Sequence, residues 1–285
     1  MNKQMNLLER VQAMPLQGAA LPFNGFVRYR EKAGTGIPYV LLHGIGSGSA
    51  SWIYQLESQG AQRVLAWDAP GYADSTALKP AIPMASDYAG ILWAWLDALE
   101  IPQIHLVGHS LGCIMAAAGA IMQPQRIASL TLLAPAQGYA NAPHDVREKK
   151  RDERLKMFAE MGPQKMAQLR ASALFSEGAA AHHVAVAAYA MERLNAGGYA
   201  QATQLLAHAN IAADLKAFQA TRAVPITIAC GEADTVTPFK ACASLAQSMG
   251  LHCLSLGNAG HLCAVQAHEQ VNALLGLKGA LHARQ

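Results

Sequence analysis

Along this chain, short runs that are apolar at nearly every position alternate with longer stretches whose apolar residues recur every third or fourth place. The short runs are Tyr39-Val40-Leu41-Leu42, Arg63 to Trp67, Ile104 to Val107, Ile127 to Leu133, Pro225 to Cys230 and Leu251 to Leu256. Runs of that length without polar alternation predict strands buried on both faces of a parallel sheet. Phe26 to Arg30 alternates instead and predicts an edge strand. Helices are predicted between the strands: from Ser51 or Trp52 to Gln59, from Ala85 to Leu99, from just after Ser110 to Met122, and from Phe239 to Met249. In the second of these, Tyr88, Ile91, Leu92, Trp95 and Leu99 share one face, with Ser86 or Asp87 as the cap. Gln123-Pro124 stops the third, and a closing helix opens at Gly260-His261 and ends near Leu277. Strands and helices in that rhythm predict an α/β fold, a doubly wound and mostly parallel sheet with right-handed crossovers.

The rhythm breaks between residues 137 and 220. That stretch holds only helical patterns: Leu155, Phe158 and Met161, then His183, Val184, Ala187, Met191 and Leu194, closed by Gly197-Gly198. It reads as a helical cap inserted at the C-terminal edge of the sheet, splitting a core of residues 21–136 and 221–285. Residues 1–20 read as a loosely held leader with an amphipathic turn around Leu7, Leu8 and Val11.

Composition narrows the class of partner. With 52% hydrophobic and 14% charged residues over 285 positions, the chain has ample core material. A net charge of +3 with no basic stripe argues against nucleic acid, and the run from His144 to Arg154 mixes both signs as a solvated helix face does. Met1 to Gln17 lacks the apolar centre of a signal peptide, and no run reaches the ~20 apolar residues of a membrane span. A cytoplasmic location, no membrane partner and a small-molecule substrate are expected. Oligomeric state is not legible. The five cysteines are odd in number and form no CxxC pair, so free thiols in a reducing compartment are expected. Neither they nor the 11 histidines show ligand spacing; His182 and His183 are adjacent and point different ways on a helix. No metal and no cofactor are expected.

The chemistry centres on Gly108-His109-Ser110-Leu111-Gly112, which joins a strand directly to a helix. Such a turn puts the serine in a left-handed conformation with its side chain exposed, and needs glycines where a Cβ would strike strand or helix. A serine hydroxyl is a weak nucleophile and needs a base, itself oriented by an acid. Both must lie just beyond strand C-termini, where doubly wound sheets bind ligands. Asp234 follows the strand ending at Cys230, and His261 follows the one ending at Leu256, giving the catalytic order Ser110, Asp234, His261. Singly, Asp234 also fits a cap for the helix after Pro238, and His261 a structural residue at a helix start. Asp68 fits a turn brace. An oxyanion hole is expected from the N–H groups of Leu111 and Ile45, the latter in the glycine loop His43 to Ser49. That loop lacks the Lys-Ser/Thr ending and the spacing of a phosphate loop.

These motifs together resemble the α/β-hydrolase fold superfamily, in its branch of capped single-domain bacterial serine hydrolases such as enol-lactonases and esterases. His43-Gly-Ile-Gly is similar to the oxyanion loop, Asp68-Ala-Pro-Gly-Tyr-Ala-Asp-Ser75 to the DxPGxGxS motif, Gly108 to Gly112 to the nucleophile elbow, Gly231-Glu-Ala-Asp234 to the acid turn and Gly260-His261 to the base turn. The resemblance spans residues 24 to 277. Departures are Ala73 for a glycine, Cys113 for a glycine or alanine, and Val265 to His268 where a Glu-x-Pro turn is common.

The resemblance implies hydrolysis of a small carboxylic ester, lactone or activated amide through an acyl-Ser110 intermediate. An alternative is a carbon–carbon hydrolase of ring-cleavage products, whose members carry Asn and Trp where this chain has His109 and Leu262. A ligand-binding receptor with little turnover is an alternative of another class. Gly44, His109, Trp52, Phe158, Met161 and Tyr189 are the expected substrate-pocket residues, with Arg147, Lys149, Arg151 or Arg193 available to a substrate carboxylate.

Overall fold

A computed structural model describes residues 5–22 and 25–277. Eight strands form one sheet: β1 (Gln17–Leu21), β2 (Gly25–Lys32), β3 (Thr35–Leu42), β4 (Gln62–Asp68), β5 (Ile104–His109), β6 (Ile127–Leu133), β7 (Ile226–Cys230) and β8 (Cys253–Ser255). Their order across the sheet is β1-β2-β4-β3-β5-β6-β7-β8. β1 and β2 run antiparallel, and every pairing from β4 to β8 is parallel. The α/β, doubly wound expectation describes this architecture.

Helices α1 (Leu7–Ala13), α2 (Ile53–Leu56), α3 (Ala85–Ala98), α4 (Leu111–Met122), α5 (His144–Arg170), α6 (Ala181–Met191), α7 (Ala196–His208), α8 (Ile211–Thr221), α9 (Phe239–Ser248), α10 (Cys263–Gln266) and α11 (His268–Leu274) complete the order. Because side chains alternate along a strand, the central strands feed a core on each face. Val40, Leu42 and Leu106 join Tyr88, Trp95, Ile114 and Phe218 on one side, where α3, α4 and α8 pack. Leu41 and Val107 join Trp52, Leu56, Cys263 and Val271 on the other, where α2, α10 and α11 pack. Among the described residues no helix is long and apolar enough to cross a membrane.

Four expectations need correction. β2 is not an edge strand: it lies between β1 and β4. The described part of residues 1–20 is not a loose leader; α1 buries Leu7 and Val11, rests on α6, and leads into β1. Residues 1–4 of that stretch, and 278–285 of the core, lie outside the described residues. Gly197-Gly198 does not close a helix but sits in the first turn of α7. The physical reason is a close approach: a Cβ on Gly198 would overlap the carbonyl of Gly71, and Asn195 Nδ2 donates to that same carbonyl. Finally, α8 packs against α4 as part of the sheet's helical layer, so the helices set over the strand ends are α5 to α7.

Candidate active site

The backbone itself builds the bed of Ser110. Ser110 has φ 53° and ψ −117°, the left-handed geometry expected of the turn. A Cβ on Gly108 would come within 2.6 Å of Cys113 Cα, and one on Gly112 would overlap Leu42 O. The serine N–H donates to Leu133 O at 2.9 Å, and its carbonyl accepts from Cys113 at 3.0 Å and Ala136 at 3.2 Å. The strained residue is therefore held from both sides.

Around it, residues from three strand ends converge. Ser110 Oγ lies 3.0 Å from His261 Nε2, and His261 Nδ1–H donates to Asp234 Oδ2 at 2.8 Å. All three side chains are buried. Asp234 also accepts from the N–H groups of Val236 and Thr237, each at 2.8 Å, and from Thr237 Oγ1 at 2.8 Å. Burial alone would lift its carboxyl, but the hydrogen bond and charge of His261 and the Thr237 donors outweigh that and hold it below its usual value. The sequence pattern does not single out Thr237. Its hydroxyl also lies 3.1 Å from Ala134 O and 3.2 Å from His261 Nδ1, so it braces acid and base together.

His109, beside the serine, turns away and donates Nε2–H to His261 O at 2.7 Å. Burial, reinforced by the neighbouring His261, drives its pKa down to about 3. It is a neutral anchor for the base loop, and it places no second positive charge against an imidazolium at His261. A segment of the cap clamps that loop as well. Leu262 N–H donates to Leu174 O at 2.9 Å, and Gln266 Oε1 accepts from Gly260 at 2.8 Å and from Ser176 at 3.1 Å.

The glycine loop after β3 is oriented by His43. Ala69 N–H donates to His43 Nε2 at 3.0 Å, which leaves Nδ1 carrying the proton that it gives to Gly44 O at 2.8 Å. Ser47 N–H donates to the same oxygen at 3.2 Å. Across a trans peptide the N–H points opposite to the C=O. With the Gly44 carbonyl held, the Ile45 N–H of the same peptide is turned the other way. Tyr72 Oη donates to Ile45 O at 2.7 Å and fixes the next peptide. Asp68 does brace a turn: it accepts from Ser49 N at 2.7 Å and Ser49 Oγ at 2.9 Å, opposite the buried Arg30.

Above the serine lies a cavity of about 280 Å³. Gly44, Ile45, His109, Ser110, Leu111, Thr237 and His261 line its floor. Met157, Met166, Leu174, Met191, Tyr199 and Leu206 supply an apolar wall, with Arg154 and Arg170 beside them. Four expected pocket residues are elsewhere. Trp52 is fully buried beneath the elbow, with its ring edge-on to His109 at 6.4 Å. Phe158 stacks on Tyr199 at 4.6 Å inside the cap, and Met161 packs against the core. Tyr189 lines a separate cavity, with Arg193 over its ring at 4.0 Å. Large apolar side chains suit a pocket and a core alike, and size does not say which way a side chain points. Arg147 and Arg151 pair with Glu148 instead of entering the cavity. The five cysteines are free, and four of them are buried. The rings of His182 and His183 lie edge to face at 4.4 Å, and His183 Nε2 meets Tyr54 Oη at 3.0 Å.

A parallel sheet with a serine elbow, and an imidazole and a carboxylate brought to it from later strand ends, defines a class of protein. The chain belongs to the alpha/beta hydrolase fold family, whose model matches residues 38–266. Its fold is similar to that of a hydrolase from Pseudomonas aeruginosa PA01, with a TM-score of 0.76 and 26% identity over 93% of this chain and 99% of that one. It is also similar to a thermophilic esterase from Thermogutta terrifontis, with a TM-score of 0.79 and 21% identity over 92% and 97% of the two chains. In sequence it is 33% identical over 117 residues to the dihydrolipoyllysine-residue acetyltransferase component of the acetoin cleaving system of Cupriavidus necator, a match covering 41% of this chain and 31% of that protein. The chain thus matches about a third of the length of that relative.

Proposed function

We propose that this protein is a serine hydrolase that cleaves a small carboxylic ester, lactone or activated amide through an acyl-Ser110 intermediate. The observation that carries this reading is the unbroken hydrogen-bonded series from Ser110 Oγ through His261 to Asp234, opening on one cavity. Ser110 Oγ attacks the substrate carbonyl carbon as His261 Nε2 takes its proton. Asp234, kept ionised, stabilises the imidazolium and holds the tautomer. The N–H groups of Ile45 and Leu111 receive the oxyanion, each donor contributing ~3 kcal/mol to the transition state. Collapse expels the alcohol or amine, which takes the proton from His261. Water then attacks the acyl-enzyme by the same route in reverse, releasing the acid and Ser110.

A panel of acyl esters, lactones, enamides and vinylogous diketo acids, run on the wild type and Ser110→Ala, tests this. Cleavage that depends on Ser110, together with an acyl adduct on Ser110 in rapid-quench mass spectrometry, is the expected result. If only the diketo acids react, the carbon–carbon reading replaces this one. Absence of Ser110-dependent turnover, with ligands still bound, favours the receptor reading.

A further inference from the structure

Charge is distributed unevenly along α5. Most of its basic side chains have acidic neighbours: Arg147 with Glu148 at 3.6 Å, Arg151 with Asp152 at 2.8 Å, Lys150 with Glu153 at 3.9 Å and Lys156 with Glu160 at 3.8 Å, while Lys165 is exposed to solvent. Arg154 and Arg170 differ. Both line the Ser110 cavity, and among the described residues neither has a carboxylate within 4.0 Å. The one hydrogen bond of Arg170 runs from Nη1 to Met157 Sδ at 3.5 Å, a weak acceptor on the same wall. No Asp or Glu lines the cavity, so these two guanidinium groups are its only full charges among the described residues.

That both line one cavity is not an accident of helix periodicity. On a straight helix, sixteen residues separate two side chains by about 24 Å along the axis and about 160° around it. Both line one small cavity because α5 is broken at Gly162, with φ 66° and ψ 174°, followed by Pro163. The break folds the second half of the helix back over the serine.

We infer that the substrate carries a free carboxylate, which Arg154 and Arg170 hold at the cap side of the cavity while Ser110 attacks at the floor. This deepens the hydrolase reading and rests on it. Arg154 is half-buried and Arg170 exposed, and the planar fork of each guanidinium matches a carboxylate through two parallel N–H···O bonds. Methionines and leucines line the same wall, and of these only the weak acceptor Met157 Sδ engages a guanidinium. A cavity of about 280 Å³ lies just below the usual span of ligand pockets, about 300–1,000 Å³. The substrate is therefore a short half-ester, carboxy-lactone or carboxy-amide.

The test compares matched esters that differ in one charge. 4-Nitrophenyl hemiadipate and 4-nitrophenyl hexanoate place it on the acyl side; the butyryl esters of 4-hydroxybenzoate and 4-methylphenol place it on the alcohol side. In one of the two pairs the wild type should favour the anion in kcat/KM by about tenfold or more, and that ratio should fall by about tenfold or more in R154M/R170M. R154K/R170K should keep part of it, and added salt should lower it. Calorimetry with adipate on Ser110→Ala reads the site without turnover, and binding should be lost when R154M/R170M is added. If esters are cleaved with Ser110 dependence but the charge ratio is the same in wild type and R154M/R170M, the inference is overturned and the hydrolase reading stands. If adipate binds through the arginines while no ester is cleaved, the hydrolase reading falls and the anion site remains.

Discussion

The elbow and the cap helix α5 are built on opposite principles. From Leu111 to Ala120 every residue is buried, and the glycines at 108 and 112 are fixed by contact with neighbouring backbone. Of the 27 residues of α5, only Phe158, Met166 and Ala167 are buried, and the helix is bent by one glycine at positive φ. In the first region position follows from local chain geometry, so a short motif says where Ser110 will be. In the second, position follows from a bend and from what the helix lies upon. On the function proposed above, reaction chemistry belongs to the tightly packed region and substrate recognition to the sparsely packed one, which is how one fold can serve many substrates.

The sharpest way to break this division is to remove chemistry from the rigid side. Ser110→Ala is expected to lower kcat by roughly 10⁴-fold or more, and Asp234→Asn by about 10³–10⁴-fold, through the wrong imidazole tautomer. Melting temperatures should change little, because each replacement nearly preserves shape. In contrast, Met157→Ala and Met191→Ala in the cap wall should raise KM with a much smaller change in kcat. Stopped-flow acylation kinetics on one activated ester would separate the two patterns. Equal losses in kcat from both regions would refute the division.

The same contrast explains what could be read from the chain. β3, β5, β6 and β7 are short apolar runs of the kind a sheet buried on both faces requires, and Ser110, Asp234 and His261 follow their strands by a few residues each. β1 gave little signal because only Ala19 and Leu21 of its five residues are buried. The place of β2 inside the sheet depends on β1 pairing with it, which no pattern within β2 reveals. Gly198 resembles a helix stop until the carbonyl of Gly71 is seen against it. Trp52 illustrates the ambiguity of large apolar residues: the pattern that suits a pocket suits a core equally. Arg154 and Arg170 line one cavity only through the bend at Gly162, although Gly162-Pro163 is itself a sequence signal for one. Thr237 carries the faintest trace, three residues past the acid, where a turn hydroxyl can reach back.

Substitutions at the seam between the two regions should have intermediate effects. Gly198→Ala forces a methyl against the Gly71 carbonyl and should cost about 1–3 kcal/mol, the usual penalty for overpacking. Because Gly71 belongs to the loop that follows Asp68 and carries Tyr72, KM should rise as well. An unchanged melting temperature would show that the cap does not rest on this contact.

His183 gives the seam a pH dependence. It projects from α6 to Tyr54 Oη and is flanked by His182 and His268, and burial first, then those two histidines, pull its pKa down to about 4. Neutral His183 is favoured in the folded state, so between pH ~6.5 and 4 the unfolded chain binds the extra proton. Its contribution to stability is complete above pH ~6.5 and is lost as the pH falls towards 4. His109, with a pKa of about 3, adds a loss of the same sign. Melting temperatures at pH 7.5, 6 and 5 should therefore fall in the wild type and fall less steeply in His183→Gln. A steeper fall in the variant would mean that His183 is charged in the folded protein.

The smallest effect should come from Ala73, which stands where the resembling motif has glycine. It adopts φ 45° in the same loop that supports the cap. A Cβ there costs roughly 1 kcal/mol, whereas glycine gives back about 0.5–1 kcal/mol of unfolded-chain entropy. Ala73→Gly should therefore shift stability by less than about 1 kcal/mol, in the stabilising direction if either. A loss beyond 1 kcal/mol in a denaturant titration would show that the methyl group makes a contact worth more than the strain. It would also move Ala73 from a tolerated departure to part of what seats the cap on the sheet.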